Sequence, residues 1–291
     1  MANVTVIIPH KNSFDSLAKL LACIPERVHV IVVDDKSDPE IQQKLYGLER
    51  KNWTLIFNQF DETNAGFARN LGIEALSNDC EWVMFADADD WMDRNNLEML
   101  TKHLDLEEAD VVLTGVDAKM LSGESSARAD YIHKLFGGYP KNANEILFLW
   151  VGPIGKVIRK NLIDQNRLKY ESRLASNDVV FSTKLAALKP SLNVFEPIIY
   201  TIIQSGSSLT ATLSVEKAKA RLEATWIRNR ILTQNKCGVR LDYGLTYYKF
   251  IVFNGTVREV FEFFPGELRN FFLASRMNLS RLIHQGTEQK Q

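Results

Sequence analysis

An apolar run that stops abruptly at three carboxylates, Trp82-Val83-Met84-Phe85-Ala86-Asp87-Ala88-Asp89-Asp90-Trp91, narrows the choice of fold more than any other stretch of this chain. A short apolar run bounded by turn-prone residues reads as a buried strand. Its end therefore projects acid at the carboxyl edge of a sheet, the edge at which ligands bind in open α/β sheets. Asp87 and Asp89 lie two apart and face the same way on an extended backbone, so two oxygens can converge on a hard divalent cation.

The stretches before it supply the rest of such a sheet. Val4-Thr5-Val6-Ile7-Ile8-Pro9 is a β-branched run closed by proline, and Val28-His29-Val30-Ile31-Val32-Val33 is a second, ending in Asp34-Asp35-Lys36-Ser37-Asp38. Between them Ser13 or Asp15 is placed to cap a helix carrying Leu17, Leu20 and Leu21. Strand, helix, strand with acids at the second strand's end predicts a parallel, doubly wound sheet. A helix from about residue 40 to 48 leads to a third strand, Trp53-Thr54-Leu55-Ile56-Phe57, and Asn64-Ala65-Gly66-Phe67-Ala68-Arg69-Asn70-Leu71-Gly72 is a loop entering another helix. In that segment Gly66 allows a close backbone approach, and Arg69 has the forked cation suited to phosphate.

Further along, Asp110-Val111-Val112-Leu113-Thr114 predicts a strand, residues 122 to 128 a polar surface excursion or lid, and Val194 to Ile203 a final strand leaving through a flexible Gln204-Ser205-Gly206-Ser207-Ser208. Lys156 lies in the apolar segment Trp150 to Arg159, and Ser176-Asn177-Asp178 opens an amphipathic helix with Asp178 in its first turn. From Val215 onward the pattern is helical. Apolar residues such as Trp226, Phe253, Phe261, Phe264 and Phe271 interleave with Arg and Lys, and residues 215 to 291 hold 13 Lys+Arg against 7 Asp+Glu although the whole chain has net charge -1. A seam near 210 divides the chain. Its first part splits into residues 1–110 and 111–212, two halves of the same domain, to which the resemblance given below would assign the nucleotide sugar and the acceptor with the catalytic base; residues 213–291 form a helical extension.

The balance of charge points to no nucleic-acid partner. Three scattered cysteines, Cys23, Cys80 and Cys237, argue against a disulfide framework and a zinc site and fit a reducing cytoplasm. The N-terminus lacks the basic and apolar regions of a signal peptide, and no apolar run approaches a membrane span, so any membrane contact is expected to be peripheral. The five histidines show no ligand spacing.

Val6-Ile7-Ile8-Pro9, Val32-Val33-Asp34-Asp35-Lys36-Ser37, Asn64 to Gly72 and Phe85-Ala86-Asp87-Ala88-Asp89-Asp90 together resemble, in order and spacing, the motifs of family 2 glycosyltransferases of the bacterial surface-polysaccharide type. Lys156-Val157-Ile158-Arg159 and Asn177-Asp178-Val179-Val180-Phe181 continue the likeness less closely. The resemblance implies an inverting enzyme of the GT-A fold, a Rossmann-like, mostly parallel central sheet flanked by helices, using a nucleotide-sugar donor, UDP-sugars favoured. Its acceptor would be a glycan or lipid-linked oligosaccharide. By position it implies that Pro9 and Asp35 border the base, that Arg69 contacts base or diphosphate, and that Lys156 is a diphosphate contact. Asp87 would lie near ribose and metal, Asp89 would ligate Mn²⁺ or Mg²⁺, Asp90 would support the site, and Asp178 would be the catalytic base. The chain departs from the pattern at Asn177, where a Glu is familiar, and at Gln204-Ser205-Gly206, where a His is often found.

Bland readings stand beside these. Asp87 to Asp90 and Asp34-Asp35 suit helix caps, Arg69 suits a simple ion pair, Asp178 is favoured in a first turn by the helix dipole alone, and Lys156 suits a solvated lysine. A nucleotidyltransferase of related fold is one alternative, against which the Gly-free loop Pro9-His10-Lys11-Asn12 argues. A non-catalytic nucleotide-sugar-binding protein is another.

Overall fold

The computed structural model describes residues 2–122, 127–137, 143–204 and 213–288. Most of the expected excursion at 122–128, the exit through 205–208 and the seam near 210 lie outside the described residues. The chain divides into two compact units, Met1–Ser172 with Pro190–Ser208, and Arg173–Lys189 with Leu209–Gln291. The helix bearing Asp178 thus groups with the C-terminal helices.

In the first unit β1 (Val4–His10), α1 (Phe14–Cys23), β2 (His29–Asp34), α2 (Pro39–Tyr46), β3 (Trp53–Phe57), α3 (Ala65–Glu74) and β4 (Trp82–Phe85) alternate as the sequence predicts. They are followed by β5 (Trp91–Met92), α4 (Arg94–His103), β6 (Val111–Met120), α5 (Ala127–Phe136), α6 (Ala143–Leu149), β7 (Lys156–Arg159), α7 (Lys160–Gln165) and, after α8 (Asn177–Ala187), β8 (Leu192–Gln204). The sheet order is β3-β2-β1-β4-β7-β6-β8-β5. Val6, Ile7, Ile8, Val30, Ile31, Val32 and Val33 are fully buried, as strands covered on both faces require. β1 pairs in parallel with β2 on one side and β4 on the other, so the carboxyl ends of all three open on one edge, at the point where strand order reverses.

Two strands depart from the parallel run. β7 lies antiparallel between β4 and β6, and β5 antiparallel to β8, so the sheet is mixed beyond β4. β6 runs on past the expected end at Gly115 to Met120, with its pairing to β8 shifting at that glycine. A Cβ on Gly115 would come within 2.5 Å of the Glu196 carbonyl, so only glycine admits this approach. Gly72 has a similar role for the site: a Cβ there would lie 2.4 Å from Ile7 Cγ2, and its absence seats α3 directly on β1.

The second unit contains α8, α9 (Val215–Gln234), α10 (Leu245–Asn254) and α11 (Val257–Glu288). Its core is Ala218, Leu222, Ile251 and Phe263, with Trp226 and Tyr247 packed around it. Two buried asparagines fix the connection before α10. Asn229 Nδ2 donates to Asn270 Oδ1 at 2.7 Å and to the Asp242 carbonyl, and Asn270 Nδ2 donates to the Tyr243 carbonyl at 2.9 Å.

Glu267 is buried beside them, accepting from Trp226 Nε1 at 2.9 Å through one oxygen, while among the described residues its other oxygen has no hydrogen-bond partner. Burial pushes its carboxyl up to about 7, against the Trp226 bond and with help from Asp242. An unfolded chain ionises this group near 4.5, so its stabilising share is complete below that pH and is lost as pH rises through 7. Glu267→Gln, which removes the titration, is expected to be more stable than the parent by about 3 kcal/mol at pH 8 and nearly equal to it at pH 4. Urea unfolding of the full chain at both pH values measures the difference.

Candidate active site

The loops after β1 and β2 are stapled together before any ligand arrives. Asp35 N–H donates to the His10 carbonyl at 2.7 Å, Asn12 N–H to Ser37 Oγ at 2.8 Å, and Asp38 N–H to Asn12 Oδ1 at 2.8 Å. Asn12 and Lys36 take positive φ values of 52° and 61°, which turn each loop sharply at the edge. Beneath them His10 Nε2 accepts from Ser13 N–H, which places the ring proton on Nδ1, 2.9 Å from Asp34 Oδ1. Burial alone would raise the Asp34 carboxyl, but His10, Ser37 and Gln42 together hold it below the usual range. His10 and Asp34 are therefore the fixed floor of the edge.

Asp35 stands above that floor, buried, with Oδ1 accepting from Asn58 Nδ2 at 2.8 Å. Asn58 is itself held, donating to the Glu62 carbonyl and accepting from Phe60 N–H. Pro9, half-buried, sits on β1 opposite Val33. Pro9 and Asp35 thus occupy the two neighbouring strand ends.

The acidic loop is held from three directions. Asn64 caps α3 by accepting from Phe67 N–H, and α3 then presents Arg69, whose Nη2 lies 2.5 Å from Asp87 Oδ1. The guanidinium also lies over the Tyr170 ring, 5.3 Å from its centre. Arg69 is 5% exposed, so its pairing with Asp87 is sheltered from solvent. Tyr200 on β8 inserts its hydroxyl between two aspartates, accepting from Asp87 N–H at 2.8 Å and donating to Asp90 Oδ2 at 2.6 Å. Ile203 N–H donates to Asp90 Oδ1 at 2.7 Å, and β5 pairs antiparallel with β8 immediately after the acids. Burial pushes the Asp90 carboxyl up to about 8, with Asp87 and then Asp89 adding to the rise and the Tyr200 and Ile203 bonds opposing it.

Three carboxyl groups are therefore crowded at this loop, with Asp90 inside and favoured in its neutral form, Asp87 half-buried and Asp89 exposed. Among the described residues no three His, Cys, Asp or Glu side chains are grouped to hold a metal ion. Asp87 and Asp89 are two hard oxygen donors, the number with which Mg²⁺ or Mn²⁺ is commonly held when phosphate oxygens and water complete the shell. The residues fit such an ion on those terms.

Lys156 takes a different place from a diphosphate contact. It is 1% exposed, and Nζ donates to the carbonyls of Trp150, at 2.7 Å, and Gly152. The ammonium shapes the turn leading into β7. Asp178, half-buried, lies in the first turn of α8 in the second unit. Ser176, at the N-cap position, makes no side-chain cap bond and adopts φ 58°, a left-handed conformation that serine rarely takes. Such outliers gather at functional sites.

Sequence reasoning missed Tyr200, Asn58 and the pairing of His10 with Asp34. Tyr200 had one signal, a tyrosine inside an apolar strand, whose hydroxyl must find a partner when buried. Tyr200→Phe leaves Asp87 N–H and Asp90 Oδ2 without that partner, and is expected to cost about 1–3 kcal/mol in urea unfolding.

A family model described as glycosyl transferase family 2 matches residues 5–163. Succinoglycan biosynthesis protein ExoW of Rhizobium meliloti is 36% identical over 98 residues, 31% of this chain and 30% of that protein. Glycosyltransferase GlyA of Streptococcus pneumoniae is 21% identical over 264 residues, 84% of this chain and 36% of that protein. The chain thus spans about a third of the length of these relatives. Among solved structures, S. aureus TarS 1-349 in complex with UDP-GlcNAc superposes with a TM-score of 0.66 at 18% identity, covering 92% of this chain and 79% of that one. Mannosyltransferase PcManGT of Pyrobaculum calidifontis, in complex with GDP-Man and Mn²⁺, gives 0.55 at 13% identity, covering 97% and 86%. At these identities the structural likeness shows the fold, which is GT-A-like with helices at its C-terminal end.

Proposed function

The chain belongs to glycosyl transferase family 2, and from that premise we propose that it moves a sugar, with inversion, from a nucleotide diphosphate donor to a hydroxyl of a glycan or lipid-linked oligosaccharide. The observation that carries this reading is the meeting, at one edge of the sheet, of Asp35 held by Asn58 with an acidic loop held by Arg69 and Tyr200. A UDP-sugar is the favoured donor, in keeping with the UDP-GlcNAc held by TarS. Surface polysaccharide assembly at the cytoplasmic face of the inner membrane is the proposed setting, in keeping with a relative named for succinoglycan biosynthesis.

Each residue has a task in this reaction. Asp35 accepts a hydrogen bond from the base, beside Pro9. Arg69 orients Asp87 and borders the diphosphate, while Asp90, tied to Tyr200 and Ile203, keeps the loop in shape. Asp87 and Asp89 would hold Mn²⁺ or Mg²⁺, as PcManGT holds Mn²⁺ with its donor. When bound, the cation offsets the charge that grows on the departing diphosphate. Sugar transfer passes through an oxocarbenium-like state, and the acceptor hydroxyl attacks from the face opposite the leaving group. Asp178 takes the proton of that hydroxyl as it attacks. Lys156, with its ammonium on backbone carbonyls, is left outside the donor set.

A thermal-shift screen of UDP-, GDP-, dTDP- and CMP-sugars, each with and without Mn²⁺, tests the reading. Stabilisation by one nucleotide class, greater with metal than without, is the expected result. No response to any donor would count against it.

A further inference from the structure

The helix α11 carries two separate stripes. At 100° per residue, Phe263, Glu267, Asn270 and Ala274 fall on one line, all four buried and the first three in contact with the second unit's own helices. Val257, Phe261, Phe264, Leu268 and Phe272 fall on another, roughly a third of a turn away. These are 74%, 71%, 48%, 42% and 63% exposed, and Phe253 at the end of α10 is 82% exposed. The inward stripe already serves the core. Aromatic side chains repeated on the other line have no place there, and a contiguous exposed apolar strip of this kind marks an interaction surface.

Its flank identifies the occupant. Arg258, Arg269 and Arg276 follow the strip along its far side, with Glu262 as the one acid among them, all exposed, so the border is net cationic. Two copies of α11 packed antiparallel about a two-fold axis would set this flank, three arginines to one glutamate, against itself. An apolar line with a cationic border suits instead an anionic lipid surface, with phenylalanines in the acyl boundary and guanidinium groups among the phosphates. Among the described residues no helix is long and apolar enough to cross a membrane, so the helix would lie in the plane of the surface.

We infer that the outward face of α11, from Val257 to Phe272, docks on anionic lipid bilayers. This deepens the membrane setting proposed above and rests on that reading only for its biological purpose, since lipid binding is measured without donor or acceptor.

The test is co-sedimentation of the full chain with vesicles of phosphatidylcholine alone and of phosphatidylcholine with phosphatidylglycerol, at low and high salt. Binding to the anionic vesicles, weakened by salt, is expected. Phe261→Ser with Phe264→Ser should weaken it by at least about tenfold, and replacing Arg258, Arg269 and Arg276 with Gln should weaken it by about fivefold for each arginine. The replaced side chains are exposed, and an unchanged melting temperature together with an unchanged donor shift shows that both units are intact. Absence of binding to any vesicle would overturn the inference. So would binding that the variants leave unchanged, or a concentration-dependent dimer of the parent chain that the phenylalanine variants dissociate.

Discussion

Asp178→Asn is expected to lower turnover by about 10²- to 10⁴-fold while leaving donor binding unchanged. The amide keeps the size and the hydrogen-bonding reach of the carboxylate but cannot take a proton, and that range is the usual share of a positioned general base. The measurement is steady-state turnover with the donor found by the screen, beside calorimetric titration of that donor. Loss of binding together with turnover would give Asp178 a part in the donor site or in the seating of α8. Unchanged turnover would assign the proton to another group and leave the aspartate its dipole role at the start of the helix. A parent chain that binds donor and turns over nothing would favour a nucleotide-sugar-binding protein without catalysis.

Asp89→Asn should abolish the part of donor binding that depends on metal. Asp87 already shares an oxygen with Arg69, and Asp90 gives both of its oxygens to Tyr200 and Ile203, so Asp89 is the exposed carboxylate of the three. With donor at a hundred times its dissociation constant, a bound ligand stabilises the fold by about 2.7 kcal/mol. The increment added by Mn²⁺ is expected to vanish in the variant, while any shift from nucleotide alone persists through Asp35. Mn²⁺ without nucleotide should bind weakly to parent and variant alike, because two carboxylates leave most of the shell to be filled by phosphate and water. An intact metal increment in Asp89→Asn would move the ligand role to another carboxylate.

Much of the nucleotide half was readable in advance because its strands are continuous apolar runs and its acids follow them directly. β1 to β4, the loop of α3 and the acids of β4 all stand where the periodicity puts them, and parallel pairing brings their ends to one edge. What could not be read was everything set by partners far away in sequence. Lys156 looked available because a lysine is usually solvated, yet its ammonium is internal, satisfied by carbonyls six and four residues back. The β7 reversal and the shift at Gly115 depend on which strands become neighbours, a choice that no local pattern records. The polar stretch Ser176-Asn177-Asp178 marks the start of α8, but not that the backbone of Ser176 turns left-handed there. Asp178 was placed in the right turn of the right helix, and the grouping of that helix with the C-terminal unit came only from the fold.

The anchoring of the acidic loop by β8 has a consequence for how the molecule is made. Tyr200 and Ile203 reach Asp87 and Asp90 across 110 to 113 residues, and Trp91 and Met92 pair with the same distant strand. Closing a loop of that length comes late, because its entropy must be overcome before the contacts form. During synthesis from the N-terminus, β1, β2 and β4 can associate while the segment that shapes the loop is still in the ribosome. The acids would then spend that interval exposed and mutually repelling, so the site acquires its form only after residue 203 has emerged, and the first half cannot act before the second has been made.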